Sequence, residues 1–277
     1  MPTPVDDALV MHEYTRMALV YDERVAPRFL PLARRTVAEA RLEPGQRALD
    51  VGCGTGLATL LAAEAVGPAG TVVGVDFSEG QLGIALGKAQ LRGMAHVRFE
   101  RVDATRLPYE AAFDAALSNL GLPPEADRAV AGMARAVRPG GRVSVTTWED
   151  AGNPSFDAFH ALLAEHRVEP PPPEVAQARV AMARRREARR WGSLEGVQGL
   201  LERAGLREVR VERAVYEVPF RGWRDFYDFE LAWGWTEAEV RAMSGPDREA
   251  FQQACAARYG SAPFVDRWSL LHASGVR

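Results

Sequence analysis

Cysteine and long apolar runs are both scarce in this sequence. Cys53 and Cys255 are the only cysteines among 277 residues, too few for a disulfide framework or a cysteine-built metal site. No run approaches the ~18 consecutive apolar residues that cross a bilayer. The first residues are partly acidic and lack a cationic start followed by an apolar segment. We therefore expect a cytoplasmic protein with no signal peptide, no membrane span and no bound metal.

Lysine is nearly absent as well, since Lys88 is the only lysine among 34 basic residues. The 37 acidic residues give a net charge of −3 and a pI near 6. Overall charge thus provides no electrostatic argument for nucleic-acid binding. The apolar fraction of 47% is enough for a sizeable hydrophobic core, and the length suits one large domain or one domain with an addition.

A glycine-rich turn lies between two predicted elements. The apolar run 47–51 precedes three glycines at alternate positions, and a segment with helical spacing follows them. A second apolar run ends at Asp76, twenty residues after the last of these glycines, Gly56. This order predicts a nucleotide-binding β-α-β unit. A dinucleotide loop would place its third glycine where this sequence has Leu57, so a dinucleotide is not expected.

Strands and helices alternate up to Trp148. The predicted strands are 47–51, 71–76, 97–102, 113–118 and 142–147, with helices over 27–41, 57–66, 78–92 and 125–137. Such alternation predicts a parallel sheet wound on both faces. Two more strands are predicted at 208–219 and 265–272, and the ~45 residues between them exceed a usual connection. A capping-box pattern, Thr236-x-x-Glu239, predicts a helix start within this interval.

These lengths predict three kinds of segment. Residues 1–46 form an N-terminal helical segment. Residues 150–192 and 220–262 form helical cap insertions around the substrate region. The α/β core consists of 47–149, 193–219 and 263–277.

The pattern D-x-G-x-G-x-G, formed by Asp50, Gly52, Gly54 and Gly56, resembles the first motif of the class I S-adenosylmethionine-dependent methyltransferases. Asp76, Asp103-Ala104 and the turn 138–141 follow in the order that this family shows. The resemblance is strong over about 45–147, moderate over 193–219 and weak elsewhere. It implies a doubly wound, seven-stranded, mostly parallel Rossmann-like sheet and S-adenosyl-L-methionine as cofactor.

The resemblance also implies which residues hold the cofactor. These are Tyr21, Asp50, Gly52, Gly54, Gly56, Asp76, Phe77, Asp103, Ala104, Ser118 and Asn119. Asp50 would hold the ammonium group and Asp76 the ribose hydroxyls, which a carboxylate can accept together. Asp103 would meet the adenine amino group, while Ser118 and Asn119 would border the reacting methyl. Each aspartate also has a structural interpretation as a helix cap. One departure from the family is Gly80-Gln81, where a small residue and methionine are more usual.

The sequence gives weaker evidence for the methyl acceptor than for the cofactor. His12, His160 and His166 are weak candidates for a base, and a surface or structural role is favoured for each. Sixteen of the 23 aromatic residues lie in 148–277, seven of them within 220–235. They predict either a core for the cap or an apolar pocket for an aromatic or lipophilic acceptor. The arginine-rich stretch 179–190 indicates a solvated helix or lid, or else a site for an acidic acceptor or nucleic acid.

The favoured hypothesis is a methyltransferase acting on a small molecule, similar to the group that includes quinone-biosynthesis enzymes. An rRNA or protein methyltransferase is the first alternative. Against nucleobase methylation, Pro123-Pro124 lack the polar and aromatic neighbours of the motif for that chemistry, and we expect no nucleic-acid partner. A non-catalytic, regulatory S-adenosylmethionine-binding protein is the alternative from another class. The sequence does not determine the acceptor atom or the oligomeric state.

Overall fold

The structure is a computed structural model that describes residues 4–150, 152–189 and 191–277. Its strands are β1 (Arg47–Val51), β2 (Thr71–Asp76), β3 (Val97–Arg101), β4 (Phe113–Asn119), β5 (Val137–Trp148), β6 (Arg207–Phe220) and β7 (Phe264–Val276). Its helices are α1 (Pro4–Arg24), α2 (Leu30–Ala40), α3 (Leu57–Val66), α4 (Glu79–Leu91), α5 (Ala126–Ala136), α6 (Pro154–His166), α7 (Pro173–Ala188), α8 (Leu194–Arg203), α9 (Trp223–Leu231), α10 (Gly234–Ala242) and α11 (Gly245–Tyr259).

The strands form one seven-stranded sheet in the order β3-β2-β1-β4-β5-β7-β6. Neighbouring strands among β1 to β5 run parallel, whereas β7 runs antiparallel to both β5 and β6. The predicted doubly wound, seven-stranded, mostly parallel sheet is therefore confirmed. Chain order reverses between β1 and β4, and in open α/β sheets ligands bind beyond the carboxyl ends of the strands at such a point.

The sequence located most elements because local signals set their ends. Asn153 accepts hydrogen bonds from the backbone N–H groups of Ser155 and Phe156, at 2.9 and 3.0 Å, and so caps α6. The predicted helix start at Thr236 is wrong, because α10 begins at Gly234. The Glu239 carboxylate, which a capping box would use, instead binds the Arg179 guanidinium of α7 at 2.6 and 2.7 Å.

The N-terminal helix α1 lies against α4, α7 and α10. Lys88 of α4 donates to Asp22 of α1 at 2.7 Å, so the only lysine of the chain ties these two helices together. α2 packs on the sheet instead, with Leu32 and Thr36 fully buried. The part of the N-terminal segment that covers the carboxyl ends of the strands is therefore α1, whereas α2 is a layer of the core.

Aromatic residues of the C-terminal half form a shared hydrophobic core. The Phe226 ring contacts six other rings, contributed by Phe156, Phe159, Phe220, Phe229, Tyr259 and Phe264. Phe29, next to α2, joins the same cluster through Trp148 and Trp268. Most of these rings thus have the structural role that the sequence allowed. Because the cluster continues into the sheet, the division into core and cap insertions stays a prediction.

No helix in the described ranges is long and apolar enough to cross a membrane. The expected cytoplasmic location stays a prediction.

A buried polar network connects α2 with three strands. The Thr36 and Thr146 hydroxyls are hydrogen-bonded at 2.5 Å, and Thr146 contacts His272 Nδ1 at 2.7 Å. The other ring nitrogen of His272 contacts the Tyr216 hydroxyl at 2.8 Å. Burial, with a smaller effect from Arg35, lowers the pKa of His272 to about 4, and Glu212 opposes this shift. His272 is therefore a neutral, structural histidine.

The low pKa of His272 predicts a loss of stability in mild acid. As the pH falls below the ordinary value of 6.5, the unfolded chain binds the proton before the folded protein does. Stability present above that pH is therefore lost as the pH falls towards 4. Between pH 7.5 and pH 5 this amounts to about 2 kcal/mol. The free energy of unfolding of wild type and His272→Asn, measured with urea at both pH values, tests this prediction. The variant lacks the imidazole, so its loss of stability between the two pH values should be smaller by this amount. Equal losses in the two proteins would contradict the prediction.

Candidate active site

The glycine loop follows β1 at the point where strand order reverses. Gly52 has φ +69°, and a Cβ built on it would lie 2.5 Å from the Gly121 carbonyl oxygen. A Cβ on Gly121 would meet the Gly52 oxygen at the same distance. Only two glycines allow the chain leaving β1 to pass this close to the chain leaving β4. The loop is thereby held at the mouth of the crevice, and its last glycine, Gly56, is the N-cap residue of α3.

Asp50, inside β1, is 1% exposed. One carboxylate oxygen accepts a hydrogen bond from the Thr59 hydroxyl at 2.6 Å, while the other has no partner. Burial raises the pKa of Asp50 to about 7, and the nearby charge of Asp76 adds to this rise against the Thr59 hydrogen bond. A cationic group at the free oxygen would favour the ionised form.

Asp76 ends β2 beside the loop. One carboxylate oxygen accepts from the Gly54 N–H and the other from the Ser78 N–H, both at 2.9 Å. Burial raises the pKa of Asp76, and these backbone hydrogen bonds oppose the rise. Each oxygen keeps a second acceptor position, so the carboxylate can still bind two neighbouring hydroxyls.

Three buried polar atoms around the loop have no hydrogen-bond partner: Asp50 Oδ1, Thr55 Oγ1 and Gln81 Oε1. Their residues are each at most 2% exposed. Buried polar groups in proteins are nearly always paired, and an unpaired one calls for an explanation such as a missing ligand. Two of the three atoms are acceptors, which suits a ligand with ammonium and hydroxyl donors. The residues present therefore fit S-adenosylmethionine.

Asp103 and Ala104 follow β3 at a short 3-10 turn. The Asp103 carboxylate caps this turn by accepting from the N–H and the hydroxyl of Thr105, both at 2.8 Å. Its side chain is 53% exposed. The structure thus gives Asp103 the capping role, with one oxygen left for other contacts, and its expected contact with adenine stays a prediction.

Ser118 and Asn119 end β4, but their side chains turn towards the protein. The Ser118 hydroxyl donates to the Val51 carbonyl at 2.7 Å and so ties β4 to β1. The Asn119 carbonyl oxygen accepts from the Thr36 hydroxyl at 2.9 Å. The next residue, Leu120, has φ +59°, a strained value for leucine. Strained backbone concentrates at functional sites, and here it directly follows the end of β4.

Aromatic residues of α1 contact the remaining side of the crevice. The Tyr14 ring packs edge-on against Phe77 at 5.9 Å and against Trp235 at 6.1 Å between centroids. Tyr21 packs in the same way on Trp233 at 5.8 Å. The gap between these helices has a volume of about 10 Å³, roughly one water molecule. These rings must therefore move apart before an acceptor fits between them.

The three candidate histidines are not brought together. His12 is exposed on α1. His160 lies on α6 with Nε2 3.6 Å from the Glu230 carboxylate of α9, and burial lowers its pKa. His166 donates from Nδ1 to the Leu162 carbonyl at 2.8 Å, because a carbonyl oxygen can only accept. None of these contacts involves the glycine loop, so no catalytic base is assigned.

Several site residues were not predicted from the sequence as ligand contacts. Thr59 holds Asp50, and Thr55 presents a buried hydroxyl beside the loop. Gly121 forms the other half of the close backbone contact. Gln81 was noticed only as a departure from the family pattern. That departure is the one available signal for Gln81, whereas the role of Gly121 depends on Gly52, which is distant in the sequence.

The sheet order and the glycine loop at the switch point define a Rossmann-like, nucleotide-binding class of protein. Residues 48–141 match a family model described as a methyltransferase domain. This part of the chain is therefore similar to a methyltransferase domain.

Curated relatives match about half of the chain. A nocamycin O-methyltransferase from Saccharothrix syringae is 36% identical over 136 residues, 48% of this chain and 49% of that protein. A demethylmenaquinone methyltransferase from Staphylococcus aureus (strain JH9) is 37% identical over 132 residues, 47% of this chain and 54% of that protein. This chain thus spans about half the length of the relatives that it matches.

A solved structure matches a larger share of this chain than the curated relatives do. The crystal structure of the YcgJ protein from Bacillus subtilis aligns with a TM-score of 0.56, covering 89% of this chain and 97% of that one. The two sequences are 17% identical in this alignment. The likeness supports the fold alone.

The raised pKa of Asp50 predicts that ligand binding depends on pH. An ammonium group at Asp50 needs the ionised carboxylate, so below pH about 7 binding must first release a proton. The affinity for S-adenosylhomocysteine should then fall by up to about tenfold per pH unit as the pH is lowered. Calorimetry from pH 8 to pH 5.5 measures this, and Asp50→Asn should show a flatter profile. A wild-type affinity that stays constant over this range would contradict the role of Asp50.

Proposed function

We propose that this protein transfers the methyl group of S-adenosyl-L-methionine to a small molecule. The observation that carries the proposal is the unpaired, buried oxygen of Asp50, which lies beside a second buried acid at the switch point of a methyltransferase-type sheet. Two buried carboxylates close together favour a cationic ligand, since each raises the energy of the other's charge.

The loop residues would hold the two ends of the cofactor. Asp50 would accept from the ammonium group, and Asp76 would accept from the ribose hydroxyls. The free N–H groups at the start of α3 favour the carboxylate, because this end of a helix carries partial positive charge. When bound, the cofactor supplies an electrophilic methyl group on its sulfonium.

The protein contributes to the reaction by holding the acceptor and the cofactor in the orientation that methyl transfer needs. In-line displacement needs the acceptor atom held opposite the sulfur, and orientation alone can supply roughly 7–11 kcal/mol. The strained backbone at Leu120 and the rings of α1 and α10 lie around the place where this would happen. Closure of these rings over the crevice would also exclude water from the reacting atoms.

An aromatic or lipophilic acceptor is the substrate class we propose. The gap between α1 and α10 is lined by the rings of Tyr14, Tyr21, Trp233 and Trp235. Flat apolar walls suit flat apolar ligands. Two relatives are named for the methylation of nocamycin and of demethylmenaquinone. Because each match spans about half of the relative, the acceptor identity does not transfer to this chain.

Activity can be tested with cofactor labelled in the methyl group. The protein is incubated with a cell metabolite extract, and the products are separated into small-molecule, RNA and protein fractions. We expect label in a small molecule that partitions into organic solvent. Label confined to RNA or protein would overturn the substrate class. Binding without transfer to any fraction would favour a regulatory protein.

Asp76→Ala should weaken the binding of S-adenosylhomocysteine. The substitution removes hydrogen bonds to a charged acceptor, worth roughly 1.5–3 kcal/mol each at most. Asp127→Ala is a matched control, because Asp127 forms an exposed ion pair with Arg203 on the surface of α5. Calorimetry should show a loss for Asp76→Ala only. An unchanged affinity, with the fold intact by circular dichroism, would remove Asp76 from the site.

A further inference from the structure

A cleft lies between α2 and the edge strand β6, away from the glycine loop. It has a volume of about 120 Å³, which is room for several water molecules. Charged side chains line most of it: Arg35, Glu39 and Arg41 come from α2 and its C-terminal end, and Arg210 and Glu212 come from β6. Strand β6 is four places from β1 in the sheet, about 19 Å at the usual spacing of strands. The cleft is therefore separate from the candidate active site.

The two acids of the cleft are both paired with Arg35. The Arg35 Nη2 atom forms ion pairs with Glu39 at 2.7 Å and with Glu212 at 2.6 Å. The Glu39 carboxylate also accepts from the Ser274 hydroxyl of β7 at 3.5 Å. Both carboxylates are thus directed at one guanidinium, and the other arginines of the cleft depend on other partners for their charge.

Three more arginines at the cleft have no such partner. Within the described part of the chain, the guanidinium groups of Arg41, Arg142 and Arg210 form no ion pair or hydrogen bond. Arg142 lies two residues before Ser144 on β5, and alternate residues of a strand share a face of the sheet. The Ser144 hydroxyl donates to the Thr36 carbonyl of α2 at 2.8 Å, which places Arg142 on the α2 face as well.

The positive charges of these arginines act on one another. Burial lowers the pKa of Arg142, and the charges of Arg41 and Arg210 lower this pKa further, while Glu208 and Glu39 oppose the shift. Arg142 is therefore close enough to both of the other arginines to be repelled by them. An anion bound among the three groups would relieve this repulsion.

Unusual backbone conformations occur next to the same arginines. Arg41 ends α2 with φ +49°, in the left-handed region where glycine is the usual residue. Glu208 has φ +51°, and the pairing of β6 with β7 shifts register between Arg207 and Arg210, as at a β-bulge. Bulges re-aim side chains, and strained residues concentrate at functional sites. Two of the four non-glycine residues with positive φ in the described ranges are found here.

We propose that this cleft binds the phosphate group of a small ligand through Arg41, Arg142 and Arg210. A phosphate group suits the site because its oxygens can accept hydrogen bonds from several guanidinium groups at once. Glu39 and Glu212 beside the arginines disfavour an extended polyanion and favour a compact one. The inference is independent of the proposed function, because none of these residues belongs to the glycine loop.

The test measures the binding of inorganic phosphate and of pyrophosphate by calorimetry at constant ionic strength. Wild type should bind both anions. Arg210→Gln should bind them about tenfold or more weakly, since one charge-assisted hydrogen bond is lost, and Arg210 is exposed, so the fold should stay intact. Arg203→Gln is the matched control, because it removes the same charge from an exposed ion pair with Asp127 and should bind as wild type does.

Glu212→Gln gives a test with the opposite sign. This substitution removes a negative charge from the cleft and releases Arg35 from one of its two ion pairs. Pyrophosphate should therefore bind more tightly, by up to about fivefold for a pair as exposed as this one. Weaker binding by Glu212→Gln would contradict the proposed arrangement of charges.

The remaining outcomes also decide the matter. The inference is overturned if wild type binds neither anion, or if Arg203→Gln loses as much affinity as Arg210→Gln, since general surface charge would then explain the binding. Glucose 6-phosphate should displace pyrophosphate, whereas displacement by duplex RNA alone would reject a small ligand. All variants should bind S-adenosylhomocysteine as wild type does, so a failure of cofactor binding would reject the proposed function and leave this site to be judged by the phosphate titrations.

Discussion

The close backbone approach of Gly52 and Gly121 is the constraint on which the site depends. It joins the ends of β1 and β4, the two strands between which the sheet order reverses. Any side chain at either position would push the two strand ends apart. With the contact in place, the Gly54 N–H of the loop donates a hydrogen bond to the Asp76 carboxylate. The geometry of the glycine loop therefore decides where both acids point.

Burial then determines how readily the Asp50 and Asp76 carboxylates carry a charge. Asp50 and Asp76 are both shielded from water, and each makes the charge of the other less favourable. Such a pair is costly in the absence of a ligand and well suited to a cation. The unpaired oxygens of Asp50 and Gln81 and the hydroxyl of Thr55 extend the same polar surface. A ligand that carries an ammonium group and vicinal hydroxyls satisfies these groups together.

Helix α1 connects this polar surface with the aromatic half of the chain. It contacts α4 and its capping residue through Thr15, Asp22 and the Tyr14 carbonyl, and it contacts α10 through the Tyr14 ring, which packs on Trp235. The ion pair of Arg16 with Glu237, at 3.0 Å, adds a surface link between α1 and α10. Cofactor binding and access of the acceptor are thus expected to involve the same helix.

The sheet, the glycine loop and the two buried acids could be predicted from the sequence, because strand periodicity, caps and turn residues act over a few neighbours. The sequence identified Asp50 and Asp76 through a motif that depends on local spacing. Only the folded structure shows that Ser118 and Asn119 turn inwards and that Glu239 binds Arg179 rather than capping a helix. The partners of these side chains are distant in the chain or compete with local alternatives. The same reason applies to Gln81, whose carboxamide donates to the Tyr14 carbonyl only once α1 and α4 are packed together.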